Sequence, residues 1–254
     1  MQLKTLVLSG YGINSEYESK YAVEKVGGSA EIVHINSIIE NPKIMEEYNM
    51  LLIPGGFSFG DDLGSGKILA SKMKYRLREP IEQFINSGNL VLGICNGFQV
   101  LVKMGLLPIP DFKQRVTITT NASAKFEDRW VFLKINKNSP CVFTKEVDYL
   151  YLPVRHGEGR FLPENRSTLL NMHNDNLAAL RYVDNNGREN PEYTFNPNGS
   201  VDGIAGVCDR SGRIFGMMPH PEDFTIVQNC PLWTAGGIKE AHGLRIFKNA
   251  VDYF

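Results

Sequence analysis

Short apolar runs separated by helix-patterned stretches organise the first 105 residues. Thr5-Leu6-Val7-Leu8 is closed by Ser9-Gly10, and Glu16 to Val26 has helical spacing that Gly27-Gly28 stops. Ile32-Val33-His34-Ile35 predicts a second strand, and Met50-Leu51-Leu52-Ile53, ended by Pro54-Gly55-Gly56, a third. Ile68 to Ile85 predicts one long helix, with Pro80 marking a break or kink and Ser87-Gly88 closing it. Leu90-Val91-Leu92-Gly93-Ile94 predicts the next strand. Strands that are apolar throughout, rather than alternating, are buried on both faces, which implies a parallel sheet covered by helices. In such sheets ligands lie beyond the carboxyl ends of the strands, where the Gly55-Gly56 loop and Cys95 both fall.

The second half is richer in strands. Val116–Thr120 and Trp130–Ile135 are expected to form an antiparallel pair. Ala178–Val183, Gly203–Cys208 and Arg213–Met218 continue the pattern, Asp184 to Pro191 and Asn196 to Gly199 are polar loops, and Ile238 to Tyr253 predicts a closing helix. The chain has no repeat, low-complexity tract or linker. The expectation is one α/β domain, residues 1–254, with an open mixed, mainly parallel sheet flanked by helices.

Composition narrows the class of function. With 43% hydrophobic and 22% charged residues, the chain has the balance of a soluble protein with a full core. A net charge of -1 argues against broad electrostatic binding to nucleic acid or to an anionic membrane. No apolar stretch approaches the roughly 18 residues of a spanning helix, and Met1-Gln2-Leu3-Lys4 does not open a signal peptide. Cys95, Cys141, Cys208 and Cys230 lack zinc or CxxC spacing, so free thiols in a reducing cytoplasm are expected. Three Asn-x-Ser matches, at Asn121, Asn165 and Asn198, are then chance. The five histidines have no metal-ligand spacing, and no metal is expected. Gly64-Ser65-Gly66-Lys67-Ile68 imitates a phosphate loop, but its first glycine is misplaced and Ser/Thr is missing after Lys67.

Candidate chemistry centres on Cys95. An apolar strand ends at this residue, and Asn96-Gly97-Phe98-Gln99 leads at once into Val100-Leu101-Val102-Lys103-Met104, which is patterned as a helix. A nucleophile elbow has this construction, and a helix N-terminus favours negative charge at the sulfur that attacks as thiolate. A lone buried cysteine is more often core filler, so a base with its own orienter is needed. Met218-Pro219-His220-Pro221-Glu222 offers one: in a stretch held extended by two prolines, His220 and Glu222 point to one side. Cys95 is then nucleophile, His220 general base and acid, and Glu222 the orienter. A surface Pro-His-Pro turn is the plainer alternative. The backbone N–H of Asn96 and the Gly55-Gly56-Phe57 loop are candidate oxyanion donors, although a tight turn also explains those glycines.

Gly93-Ile94-Cys95-Asn96-Gly97-Phe98-Gln99 with Pro219-His220-Pro221-Glu222 resembles the class I glutamine amidotransferases. Pro54 to Asp61, Asn121 to Val131, Arg155-His156-Gly157-Glu158-Gly159-Arg160-Phe161 and Asn196 to Ser200 narrow the resemblance to the glutaminase subunits of phosphoribosylformylglycinamidine synthase. It covers nearly the whole chain. It implies a flavodoxin-like amidotransferase fold and a Cys95–His220–Glu222 triad that hydrolyses glutamine through a thioester and passes on ammonia. It implies oxyanion donors at Gly56 and Asn96, substrate contact by Gln99, and places for His156 and Glu158 near the glutamine pocket or the ammonia exit. It also implies partners: a PurL-like synthetase subunit, which uses ATP and Mg to convert formylglycinamide ribonucleotide (FGAR) to its amidine (FGAM), and a small PurS-like subunit. No cofactor is expected on this chain. Asp223 stands where the family commonly has arginine, and Gly64-Ser65-Gly66 replaces a stretch that often carries one. The segment Gln228 to Gly243, with Trp233, resembles the glutaminase domain of the large fused synthase more than the short bacterial subunits. The elbow and triad alone leave open a stand-alone cysteine hydrolase acting on peptide or γ-glutamyl substrates, or a binding module that has kept the fold.

Overall fold

The computed structural model describes residues 2–254. The amino-terminal half alternates strand and helix: β1 (Lys4–Ser9), α1 (Glu16–Lys25), β2 (Ser29–His34), α2 (Ile35–Glu40), β3 (Met50–Ile53), α3 (Lys67–Arg76), α4 (Arg78–Asn86), β4 (Leu90–Ile94) and α5 (Asn96–Met104). The rest is β5 (Val116–Thr120), β6 (Glu127–Ile135), β7 (Tyr149–His156), β8 (Glu158–Pro163), α6 (Arg166–Asn174), β9 (Ala178–Val183), β10 (Ile204–Cys208), β11 (Ile214–Met217) and α7 (Gly243–Asp252). Among the described residues the main sheet has nine strands in the order β2-β1-β3-β4-β11-β10-β9-β6-β7. Pairing is parallel from β2 through β11 and antiparallel from β11 to β7, so only β10 and β6 run against the other strands. The open, mixed, mainly parallel sheet expected from the sequence is present.

Burial follows position in the sheet. Every residue of the central strands β3, β4, β11 and β10 is buried, which is why their sequences are apolar without alternation. The helices pack in two groups against the sheet, α1 with α7 and α3 with α5. No helix among the described residues is long and apolar enough to cross a membrane.

Several elements differ from the sequence expectation. Val116–Thr120 does not pair with Trp130–Ile135: β5 pairs with β8 in a separate two-stranded sheet, and β6 lies between β7 and β9. The single helix over 68–85 is two helices meeting at Leu77, whose φ of -127° is non-helical. Pro80 falls in the first turn of α4, where its missing N–H costs nothing. Ile35 begins α2 instead of extending β2. The last helix starts at Gly243 rather than Ile238. Two strands and a helix, β7, β8 and α6, lie where the hydrophobic pattern predicted none. Pro153 weakens the strand signal of β7, and β7 is the outermost strand, where a proline does not break the ladder.

Bare backbone brings α5 onto the sheet. A Cβ on Gly97 would lie 1.9 Å from the Ile53 carbonyl oxygen, and one on Gly216 would lie 2.0 Å from the Phe98 ring. Neither neighbour is a flexible side-chain end, so the helix or β3 would have to move. Gly97→Ala should therefore destabilise the fold by about 1–3 kcal/mol, the usual range for overpacking. Urea unfolding of the variant beside wild type measures this, and an unchanged midpoint would refute the close packing.

Candidate active site

The strand-to-helix turn holds Cys95 at φ 50° and ψ -105°, outside the regions that residues with a Cβ normally occupy. Neighbouring structure fixes it there. Its N–H donates to the Met217 carbonyl of β11 at 2.7 Å, and its carbonyl accepts the Gln99 N–H at 3.1 Å. The sulfur is buried, and the thiol donates to the Arg155 carbonyl of β7 at 3.7 Å.

His220 and Glu222 follow β11, the strand beside β4. The His220 N–H is tied to the Pro153 carbonyl at 2.9 Å, and Nδ1 of His220 lies 2.7 Å from Oε1 of the fully buried Glu222 side chain. The two do not meet along an extended strand. His220 is extended, but Pro221–Asp223 form a 3-10 turn, with proline at the first position, where a helix tolerates it. His220 Nε2 is buried without a hydrogen bond of its own, and Cys95 is close enough for its charge to act on the ring. Burial works against a charged imidazole, but Glu222 and Cys95 together outweigh it and raise His220 well above its ordinary value. Gly55 makes room for the ring, since a Cβ there would lie 2.8 Å from Cε1.

Cys95, His220, Gly56 and Phe57 share a cavity of about 260 Å³ with Arg155 and Asp223. A larger cleft, about 960 Å³, opens at the amino ends of β1, β3 and β4, between Tyr48 and Phe84. Cys95 and His220 both lie at the other end, beyond the carboxyl ends of β4 and β11. Two backbone donors are available near the sulfur: the N–H groups of Gly56 and Asn96 have no protein acceptor among the described residues. Gly56, at φ 142°, lies so near Gly12 and Ile13 that a Cβ would come within 2.8 Å of both. The Phe57 N–H is not available, because it donates to the Gly12 carbonyl at 2.8 Å; its half-exposed ring lines the cavity.

The remaining expected residues lie behind the cavity rather than on its wall. Gln99 is buried, accepting from Asn96 Nδ2 at 2.9 Å and donating to the Glu158 carbonyl. The Glu158 carboxylate accepts the Ser65 N–H at 3.3 Å and lines a different cleft, beside Lys67 and Lys103. His156 is buried between Asn121 Oδ1 at 3.2 Å and Asn198 Nδ2 at 3.5 Å, with Gly159 leaving space for its ring. Arg155 and Asp223 belong to the site although sequence reasoning gives them no part in it. They form an ion pair on the cavity wall, with Asp223 Oδ2 4.0 Å from His220 Nδ1. His220, Glu222 and Asp223 also bring three metal-ligand atoms within 4.8 Å of one another, but the Arg155 guanidinium already supplies the cation that Asp223 faces. Burial first, then Glu222, raises Asp223.

Burial and the neighbouring His220 push His156 down from 6.5 to about 4. Between these values the unfolded chain binds the proton and the fold does not, so stability falls as pH drops through this window and levels off below it. The wild-type advantage over His156→Gln should be constant above about pH 6.5 and shrink by about 3 kcal/mol on acidification to about pH 4. Denaturant titrations across that range measure it, and a pH-independent difference would mean that His156 is not held neutral.

The chain matches the CobB/CobQ-like glutamine amidotransferase domain over residues 2–254. It is 46% identical to the phosphoribosylformylglycinamidine synthase subunit PurQ of Dehalococcoides mccartyi, covering 99% of this chain and 98% of that protein. It is 43% identical to the subunit of the same name in Methanococcus maripaludis, covering 99% and 97%. Both relatives are named as subunits and are matched over nearly their whole lengths. Among solved structures, a chain of PurLQS from Thermotoga maritima superposes with a TM-score of 0.72 at 28% identity, covering 100% of this chain and 99% of that one. The chain belongs to the CobB/CobQ-like glutamine amidotransferase family.

Proposed function

We propose that this chain is the glutaminase subunit of a phosphoribosylformylglycinamidine synthase, with Cys95, His220 and Glu222 as its catalytic triad. What carries the proposal is a buried His–Glu pair beside a strained elbow cysteine, in a chain that full-length synthase subunits match from end to end. The thiol proton passes to His220, whose raised affinity for it suits the thiolate–imidazolium state. The Cys95 sulfur attacks the side-chain carboxamide carbon of glutamine, and the oxygen becomes an oxyanion facing the Gly56 and Asn96 N–H groups. His220 returns its proton to the leaving nitrogen, the C–N bond breaks, and ammonia leaves a γ-glutamyl thioester. Water then attacks the thioester carbon, giving up a proton through His220. The C–S bond breaks, glutamate leaves and the thiol is restored. Glu222 holds Nδ1 and stabilises each imidazolium.

Ammonia goes to a PurL-like synthetase, which converts FGAR to FGAM with ATP and Mg in purine biosynthesis, and a PurS-like subunit completes the assembly. The likeness of this chain, over its whole length, to a chain of PurLQS from Thermotoga maritima supports this set of partners. The synthase names of the relatives weigh against the stand-alone hydrolase. The one main sheet, which pairs strands from both halves, supports a single amidotransferase domain over 1–254. Four free, buried thiols support a cytoplasmic location.

In the assembled synthase, Cys95→Ala should cut glutamine-dependent FGAM formation by about 10⁴-fold or more while leaving ammonium-dependent formation intact. Assays of glutamate release and FGAM formation with either nitrogen donor decide this. Loss of both activities would make Cys95 structural and sink the assignment.

A further inference from the structure

The oxyanion donors proposed above sit on two separate segments: Gly56 opens the loop after β3, and Asn96 begins α5. One carboxylate joins these segments. Half-buried Asp61, at φ 55°, accepts from Ser65 Oγ at 2.9 Å, the Gly66 N–H at 3.1 Å and Asn96 Nδ2 at 3.2 Å. The second N–H of the Asn96 amide goes to Gln99 Oε1 at 2.9 Å, and its oxygen accepts the Ser58 N–H at 3.2 Å. That backbone donor fixes which end of the amide is oxygen. The whole polar end of the Asn96 side chain is therefore bound, and two of its three partners, Asp61 and Ser58, belong to the loop that begins at Gly56. Ser65, which Asp61 holds through its hydroxyl, is held further by the Glu158 carboxylate and by Lys103 Nζ on its carbonyl.

We infer that Asp61 is a positioning residue for glutamine hydrolysis, setting the spacing between the Gly56 and Asn96 N–H groups by clamping the side chain of Asn96 to the Gly56 loop. It touches neither the sulfur nor His220 and does not line the cavity that holds them. Its action falls on the step that needs both donors at once, formation of the tetrahedral oxyanion. The inference rests on the function proposed above.

Two substitutions separate the hydrogen bonds from the backbone strain. Glycine accepts a φ of 55° without penalty, so Asp61→Gly removes the side chain without adding backbone strain. Asp61→Asn also tolerates this φ, and its oxygen can accept from Gly66 and Asn96 while its amide donates to Ser65 Oγ. In the assembled synthase, Asp61→Gly should lower kcat for glutamine by about 10- to 100-fold with KM changed less than about threefold, and Asp61→Asn should restore most of the loss. Alkylation of Cys95 by iodoacetamide is a direct displacement that forms no oxyanion, so its rate should stay within about twofold of wild type in both variants. Ammonium-dependent FGAM formation, which bypasses this site, should be unchanged. An undiminished kcat in Asp61→Gly would overturn the inference, as would alkylation falling in step with kcat or an asparagine variant no better than glycine. A wild-type assembly that uses ammonium but never glutamine would overturn both the function and the inference built on it.

Discussion

Cys95 occupies a backbone conformation that a residue with a Cβ does not adopt unaided, and much of the surrounding structure supplies what holds it there. Strand β11 captures its N–H, and the first turn of α5 captures its carbonyl. For both to happen at once, α5 must start directly over the ends of β3 and β4, closer than side chains allow. Gly97 against the Ile53 carbonyl and Gly93 against the Gly97 backbone meet that demand. The result is a sulfur aimed out of the sheet edge with little freedom, at the carboxyl end of a strand whose every residue is buried. Strain of this kind, on the order of 1–3 kcal/mol, persists only where neighbouring contacts overdetermine it.

His220 and His156, which feel each other's charge, are tuned in opposite directions by their partners. Both are buried, and burial alone would keep both neutral. His220 has a carboxylate 2.7 Å away and a thiol within electrostatic reach, so its cation is favoured. His156 has only amide partners, and the charge on His220 disfavours a second cation beside it. Of the two rings, the one in the cavity with the Cys95 sulfur is thus the one that favours a proton. His156 serves as a neutral, hydrogen-bonded spacer between Asn121 and Asn198.

Legibility from sequence followed the kind of signal each feature leaves. The central strands were readable because burial on both faces leaves an unbroken apolar run, and the elbow because a strand, a cysteine and a helix are contiguous. His220 and Glu222 were readable as a pair because they are two residues apart, although a 3-10 turn and not an extended strand brings them together. β7 and β8 were lost because Pro153 and the glycines of 157–159 interrupt their patterns. The β5–β8 pairing joins segments about 40 residues apart, which no local pattern encodes. Asp61 lay inside a recognised segment and still had no readable role, since its partner Asn96 is 35 residues away.

Residues 155–159 show how a motif rich in charged groups can serve a site without lining it. Only Arg155 reaches the cavity, where its carbonyl accepts from the Cys95 thiol and its guanidinium holds Asp223. His156 turns away into an amide cage, and Gly159 lacks a side chain because the imidazole occupies that space. Glu158 points to the far side of the elbow, where its carbonyl receives Gln99 and its carboxylate receives Ser65. The turn between β7 and β8 therefore braces Cys95 from one side and the Asp61 loop from the other. A histidine and a glutamate three residues or fewer from a site arginine look like acid–base chemistry in a sequence. Here the Glu158 bonds hold the elbow and its loop in register and the His156 bonds tie Asn121 to Asn198, whereas His220, in the cavity with the sulfur, keeps a buried Nε2 without a hydrogen bond.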